Sequence, residues 1–314
     1  RDGSAQCSPE VDALEAFCKA RAKVFMEDGT MPKLVQRLLI FFIGIPLVIG
    51  LVFLPFFHRL PFHIAVCAFS LIGSLELYDM FSKNSPLLPK PLVAILNLLI
   101  PVSTYVCVCF SLPFGIVTGV FVAGTCILMT YNALTVKSFE HSNTAVSLSV
   151  SILLYTGYLI TFISRMTVYE HGSFYIAAFL WMTFICDSVA WLFGMLLGKN
   201  NRGVIAASPN KSVAGFAGGY VGCILASLIA QKALPHIFPG SLWKSVLFGT
   251  LVASAAIVGD LAESVFKRSA NVKDSGGIMP GRGGVLDSID SLLFAAPVFY
   301  LSLRLLYGVP IFLR

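Results

Sequence analysis

Nine continuous apolar stretches follow one another after residue 37 of this chain, at roughly 38–57, 60–82, 91–110, 112–135, 143–163, 173–198, 212–234, 241–262 and 289–311. Each is long enough to cross a bilayer as an α-helix, which takes about 20 residues. A membrane β-barrel would instead alternate apolar and polar residues over segments of about 10. Of the 314 residues, 57% are apolar and only 12% charged, which excludes disorder and leaves too much apolar surface for a soluble globule to bury. Gly and Pro are scattered without a period, so a collagen-like or repeat protein is excluded as well. The expected fold is all-α: a polytopic integral membrane protein of about nine transmembrane helices. Two boundaries are weak, the one between the third and fourth stretches near Ser111 to Pro113 and the last stretch at Pro297.

The net charge of +6 is not a nucleic-acid signal, because the basic residues sit in short clusters between apolar runs. With the start of the first span in the cytoplasm, and the four basic residues of 1–30 set aside, 12 basic residues fall on the cytoplasmic side and 6 on the far side. That asymmetry places the segments 199–211 and 263–288 in the cytoplasm. The eight cysteines form no C-x-x-C pair, and six of them lie in or beside apolar runs, so they read as free core thiols. The five histidines show no ligand spacing, which argues against structural zinc. Residues 1–30 read as an N-terminal extension, non-native or disordered, with Met31 as the natural start. The rest divides into N-terminal membrane helices (31–170) and a C-terminal catalytic membrane region (171–314).

Ionisable residues inside spans are expensive and point to function. Glu76 and Asp79 lie near the cytoplasmic end of the second span, where snorkelling to the interface accounts for them. Asp187 lies too deep in the sixth span for that. Asp260 and Glu263, at the end of the eighth, are spaced i, i+3 and share a helix face. From Asp260 to Asp290 the chain carries five acids (Asp260, Glu263, Asp274, Asp287, Asp290), four bases (Lys267, Arg268, Lys273, Arg282) and five glycines between 276 and 284. Glycine-rich backbone lets N–H groups approach phosphate, and Lys and Arg supply charge. Hard carboxylate oxygens beside such groups suggest Mg²⁺. Asp287 and Asp290 are again i, i+3, so two helix ends with two carboxylates each are expected to converge on one metal site. A second cluster, Lys199 to Arg202 and Ser208 to Ser212, is basic, rich in hydroxyls and free of acids, which suits a triphosphate. No Walker A or Rossmann spacing is present.

These residues resemble the bacterial phosphatidate cytidylyltransferases, also called CDP-diacylglycerol synthases. The match runs through Ser264, Lys267, Arg268, Lys273, Asp274, Pro280, Gly281, Gly283, Gly284, Asp287 and Asp290. It extends back to Gly259 to Ser264, to Asp187-Ser188, and to Gly198-Lys199 with Ser208-Pro209 and Lys211. Three positions depart from the family pattern: Arg282 stands for its His, Ser288 for its Arg, and Ala214 for a polar residue. Arg282 is expected to touch phosphate in place, in part, of the arginine that the family carries at position 288.

The resemblance implies transfer of CMP from CTP to phosphatidic acid, giving CDP-diacylglycerol and pyrophosphate. It implies Mg²⁺, with room for a second cation, held by Asp260, Glu263 and Asp287. Asp290 would be a ligand or lie just behind. Lys267, Arg268, Lys273 and Arg282 would hold phosphates, with Asp274 among the catalytic residues. Asp187, Lys199, Ser208, Lys211, Ser212 and Ser264 would bind substrate. The lipid would enter sideways from the bilayer into a polar pocket near the cytoplasmic leaflet of a bacterial inner membrane, and the enzyme would be a homodimer. The competing readings are a CTP-dependent polyprenol or phytol kinase, a cation-coupled transporter using Asp187, Asp260 and Glu263, and a catalytically dead scaffold.

Overall fold

The computed structural model describes residues 44–279 and 283–310. The expectations about residues 1–30, Met31 and Arg282 lie outside them. Among the described residues the protein is a bundle of helices, eight of them long and apolar enough to cross a membrane. The first expected span contributes the short α1 (Ile45–Phe53). Then come α2 (Leu60–Phe81), α3 (Lys90–Cys109) and α4 (Gly115–Thr135). The fifth span is a composite: α5 (Ser142–Ile152), a π-helical turn (Leu153–Tyr158), α6 (Thr161–Arg165) and a 3₁₀ turn (Met166–Val168). The last four helices are α7 (Gly172–Leu197), α8 (Val213–Ala233), α9 (Leu242–Ser269) and α10 (Leu286–Tyr307).

The weak boundary between the third and fourth stretches is a real turn, with Ser111 in the left-handed region at φ 52°. The expected break at Pro297 does not occur, because α10 continues through it. A proline removes one N–H from the ladder, and membrane helices re-satisfy the freed carbonyl through neighbours.

α7, α8, α9 and α10 form the most tightly packed part of the bundle. Glycines permit it, as small residues do where membrane helices pack by van der Waals contact. A Cβ on Gly218 would lie 2.5 Å from Phe193 Cβ, and one on Gly249 would lie 2.6 Å from Ile224 Cα. The second contact is with backbone, which cannot rotate away. Gly249→Ala is therefore expected to cost roughly 1–3 kcal/mol, read as a lower Tm of the detergent-purified protein. Gly119, where a Cβ meets nothing within 4 Å, is the control: Gly119→Ala should raise Tm slightly. Equal effects at the two positions would contradict the packing argument.

The N-terminal helices are joined by a buried polar knot. Ser70 Oγ donates to the Thr156 carbonyl (2.9 Å), Asn97 Nδ2 donates to Ser70 Oγ (3.0 Å), and Thr156 Oγ1 donates to Asn97 Oδ1 (3.0 Å). The π turn places Thr156 and Tyr155 in this region, and such turns recur where a helix must re-aim side chains. Tyr155 extends from it between Phe266 and Phe294 (ring centroids 5.5 and 5.8 Å), which brings the N-terminal half against α9 and α10.

Candidate active site

At one end of the bundle α2, α7 and α9 finish while α3, α8 and α10 begin, and the chemistry-bearing residues gather there. α9 runs seven residues beyond the apolar stretch expected to end at 262. The extension puts Asp260, Glu263 and Lys267 on successive turns of one face. Lys267 Nζ forms ion pairs with Glu263 and with Asp287 Oδ1, the latter at 2.7 Å. The other oxygen of Asp287 accepts from Ser275 N (2.8 Å), Ser275 Oγ (2.9 Å) and Gly284 N (2.7 Å). Both oxygens of Asp287 are thus engaged by protein donors.

Glu76 does not snorkel. It is only 7% exposed and caps α10 from a distant part of the chain. Its Oε1 accepts from Val285 N (2.9 Å), and its Oε2 accepts from Leu286 N (2.8 Å) and Ser275 Oγ (3.2 Å). The first N–H groups of a helix have no partner within it, and that end of the helix dipole favours negative charge. One buried carboxylate meets both needs. The glycines of the 276–284 loop do allow close approach, but to carboxylates: a Cβ on Gly276 or Gly284 would run into Glu76. Gly283 adopts φ 107°, and a Cβ there would lie 2.6 Å from Asp287 Oδ2. Asp79, by contrast, is exposed and pairs with Lys90 at 2.6 Å, as an interfacial residue would.

The basic loop between α7 and α8 closes over the same end. Ser212 caps α8, its Oγ accepting from Gly215 N at 3.0 Å. Gly198 makes room for that hydroxyl, since a Cβ there would lie 2.5 Å from it. Arg268 Nε donates to the Ala207 carbonyl (3.2 Å) and ties the loop to α9. Lys211 forms an ion pair with Asp260. Beneath the loop lies an open cavity of about 470 Å³, lined by Asp187, Asp260, Arg202, Lys211 and Ser212, with Trp191, Met195, Phe216 and Ile257 forming an apolar wall.

Behind the cavity, Asp290 is buried and accepts from its neighbour Ser291 N at 2.6 Å. Asp260, Glu263 and Asp187 lie close enough to act on Asp290 electrostatically. Ser291 Oγ links this group to Asp187 Oδ1 at 3.4 Å. The Tyr155 hydroxyl, buried with no hydrogen-bond partner among the described residues, is within electrostatic reach of Asp290, Glu263 and Asp260.

The arrangement suits a hard cation in its chemistry, with carboxylates drawn together around a buried acid. It is not closed around one: among the described residues no three His, Cys, Asp or Glu side chains form a group that could hold a metal ion. Glu263 is turned to Lys267, and Asp260 to Lys211. Of the other expected site residues, Lys199, Lys273 and Asp274 are exposed on the surrounding loops, Ser208 is half-buried, and Ser264 is buried on α9. Ser288 Oγ reaches only the Gly284 carbonyl, at 3.4 Å. Glu76 and Tyr155 were not among the expected site residues. The signal for Glu76 was an acid within an apolar span, and nothing in sequence spacing marks Tyr155.

The family model described as the cytidylyltransferase family matches residues 35–306. A phosphatidate cytidylyltransferase of Bacillus subtilis is 34% identical over 275 residues, covering 83% of this chain and 96% of that protein. One from Staphylococcus saprophyticus is 32% identical over 182 residues, 58% of this chain and 67% of its own length. Phosphatidate cytidylyltransferase 5, chloroplastic, of Arabidopsis thaliana is 41% identical over 123 residues, 39% of this chain and 30% of that protein.

Proposed function

This chain belongs to the cytidylyltransferase family, and from that premise we infer how its cleft is used. The protein is a multi-pass membrane nucleotidyltransferase. It transfers CMP from CTP to phosphatidic acid, giving CDP-diacylglycerol and pyrophosphate in phospholipid synthesis. The kinase, transporter and scaffold readings give way to it. One observation carries the assignment to this cleft: Lys211 and Arg202 of the basic loop line the same cavity as Asp187 and Asp260. The first pair suits a triphosphate, and the second would hold a divalent cation whose charge would offset it.

A phosphate oxygen of phosphatidic acid attacks the α-phosphorus of CTP. The bond from that phosphorus to the α–β bridging oxygen breaks, and its electron pair leaves with pyrophosphate. The lipid phosphate is already ionised near neutral pH, so no strong base is required. The difficulty is to bring two anions together and stabilise the leaving group, which positioning and electrostatics accomplish. Lys211 and Arg202 hold the triphosphate, while Ser212 and Arg268 fix the loop that carries them. Lys267, oriented by Glu263 and Asp287, presents its ammonium group to the phosphates. Asp187 and Asp260, the two carboxylates that line the cavity, would hold Mg²⁺, whose charge would offset that of the two substrates. Trp191, Met195 and Phe216 give the lipid an apolar approach from the bilayer. The basic-residue asymmetry of 12 to 6 supports a cleft facing the cytoplasm, as in a bacterial inner membrane. A homodimer is part of the same reading. Of the candidate spans, α4 is the least enclosed by its own bundle, at 17% buried, and could offer the pairing face; cross-linking in membranes checks it.

The test is pyrophosphate release by detergent-purified protein with CTP, phosphatidic acid and Mg²⁺, beside a control without lipid. Release independent of the lipid would overturn the assignment. Lys211→Ala should raise KM for CTP by about tenfold or more, since it removes a charge-assisted hydrogen bond to phosphate. KM for phosphatidic acid should change much less. The reverse pattern would move the nucleotide elsewhere.

A further inference from the structure

A second polar cavity lies at the opposite end of the bundle. α2 carries Glu76 near its last turn and begins after Arg59, so its 22 residues separate the two sites by roughly 25–30 Å at 1.5 Å rise per residue. The cavity, about 270 Å³, is lined by His58, Arg59, Ser111, Thr167, Cys107 and Phe114 among others. No acid lines it.

The lining is basic, and Glu170, two residues beyond the wall residue Val168, is an exposed acid at the same end. Arg59 Nη1 donates to the Thr167 carbonyl (2.8 Å), which leaves its Nε buried without a partner. Behind it, His63 is buried, with Nδ1 unpartnered and Nε2 3.4 Å from Thr167 Oγ1. Deeper still, Arg165 is only 6% exposed, and neither its Nε nor its Nη2 has a hydrogen-bond partner among the described residues. Its guanidinium lies over the rings of Phe162, Tyr158 and Phe114, at 4.2, 5.2 and 5.6 Å. Phe114 and the nearby Cys107 are cavity walls. Every ion pair among the described residues lies toward the other end of the bundle. Cation–π contact offsets part of the cost of a buried guanidinium, but unpartnered N–H groups in an apolar bundle still call for an acceptor.

The backbone here is held in an unusual form. Phe57, His58 and Arg59 are three consecutive non-glycine residues in the left-handed region, and Ser111 across the cavity is a fourth. Such strain persists only where the surroundings impose it, and it clusters at ligand clamps. Phe56, Phe57 and Phe110 stand exposed nearby and present apolar surface beside the cavity.

We propose that this cavity binds the phosphate group of an anionic phospholipid in the leaflet opposite the catalytic cleft, with Arg59 and His58 at its mouth and Arg165 supplying charge from behind. Phosphate offers acceptor oxygens to the lining residues Arg59 and His58, Arg165 contributes charge without lining the cavity, and the exposed aromatics would lie along the lipid's chains. The site is separate from the one that handles phosphatidic acid.

Thermal unfolding of the detergent-purified protein, titrated with dihexanoyl phosphatidylglycerol, tests the proposal. Dihexanoyl phosphatidylcholine and inorganic phosphate are the parallel arms. Phosphatidylglycerol should raise Tm, and Arg59→Ala should need about tenfold more of it for the same shift, while retaining cytidylyl transfer as proof of its fold. His58→Ala, at an exposed position, is the second variant and should weaken binding in the same direction. An equal response of wild type and Arg59→Ala would overturn the site, and an equal response to phosphatidylcholine would overturn its charge selectivity. A shift with inorganic phosphate alone would uphold the phosphate site and overturn the lipid as its source.

Discussion

Asp287→Asn is expected to lower kcat for pyrophosphate release by about a thousandfold or more, in line with losses at groups that organise transition-state charge. Asp287 accepts from four donors at 2.7–2.9 Å, one on Lys267, two on Ser275 and one on Gly284. An amide offers one acceptor oxygen in place of two. Its NH₂ would face either the Lys267 ammonium or the two backbone N–H groups, and both choices set donor against donor. If the nitrogen faces Lys267, the ammonium keeps only Glu263 and swings away from the cleft. If it faces the loop, the 275–284 backbone loosens. Either outcome removes a preorganised charge. The loss should fall on kcat for both substrates together, because Lys211 and the nucleotide loop are untouched. Asp287→Glu retains both oxygens but overreaches by a methylene, and should recover part of the rate. Wild-type kcat in the Asn variant, with folded protein, would remove Asp287 from the machinery.

This behaviour refines what sequence spacing could reveal. The i, i+3 carboxylate pairs at 260/263 and 287/290 identified two helix ends that meet. Spacing does not say which oxygens are already taken, because that depends on how the loop backbone between those helices folds back onto them. So Asp287, expected at a metal, is clasped by a lysine and a loop, while Asp187 and Asp260 face the cavity. The apolar stretches located the spans well because hydrocarbon thickness sets their length. They placed the end of α9 early, since a helix can continue beyond the bilayer once its polar face is paired, as Lys267 is with Glu263 and Asp287. Ser212 was expected at the nucleotide. Its hydroxyl caps α8, accepting from Gly215 N. The division into an N-terminal membrane half and a C-terminal catalytic half also hides a dependence: Glu76 and Tyr155 belong to the first half and reach the site of the second.

That dependence yields the second large effect. Glu76→Ala is expected to reduce kcat by about a hundredfold and to destabilise the protein, since the Val285 and Leu286 N–H groups would be left buried without an acceptor, at roughly 1–3 kcal/mol each before relaxation. Glu76 touches no substrate in this reading. It fixes Val285, Leu286 and Ser275, and Ser275 in turn donates to Asp287 Oδ2. Releasing Glu76 should therefore free the loop first and the catalytic carboxylate second. Three readouts separate positioning from general structural damage. Tryptic cleavage at Lys273, which lies in that loop, should accelerate in Glu76→Ala at temperatures well below Tm. Activity should fall in the order Glu, Gln, Ala, because glutamine keeps one acceptor and the shape. KM for CTP should move less than kcat, because the basic loop of α7–α8 makes none of these contacts. A fully active Glu76→Ala would show that the α10 cap is dispensable. A lowered Tm with loop cleavage unchanged would show that Glu76 supports the bundle alone and leaves the site to its own residues.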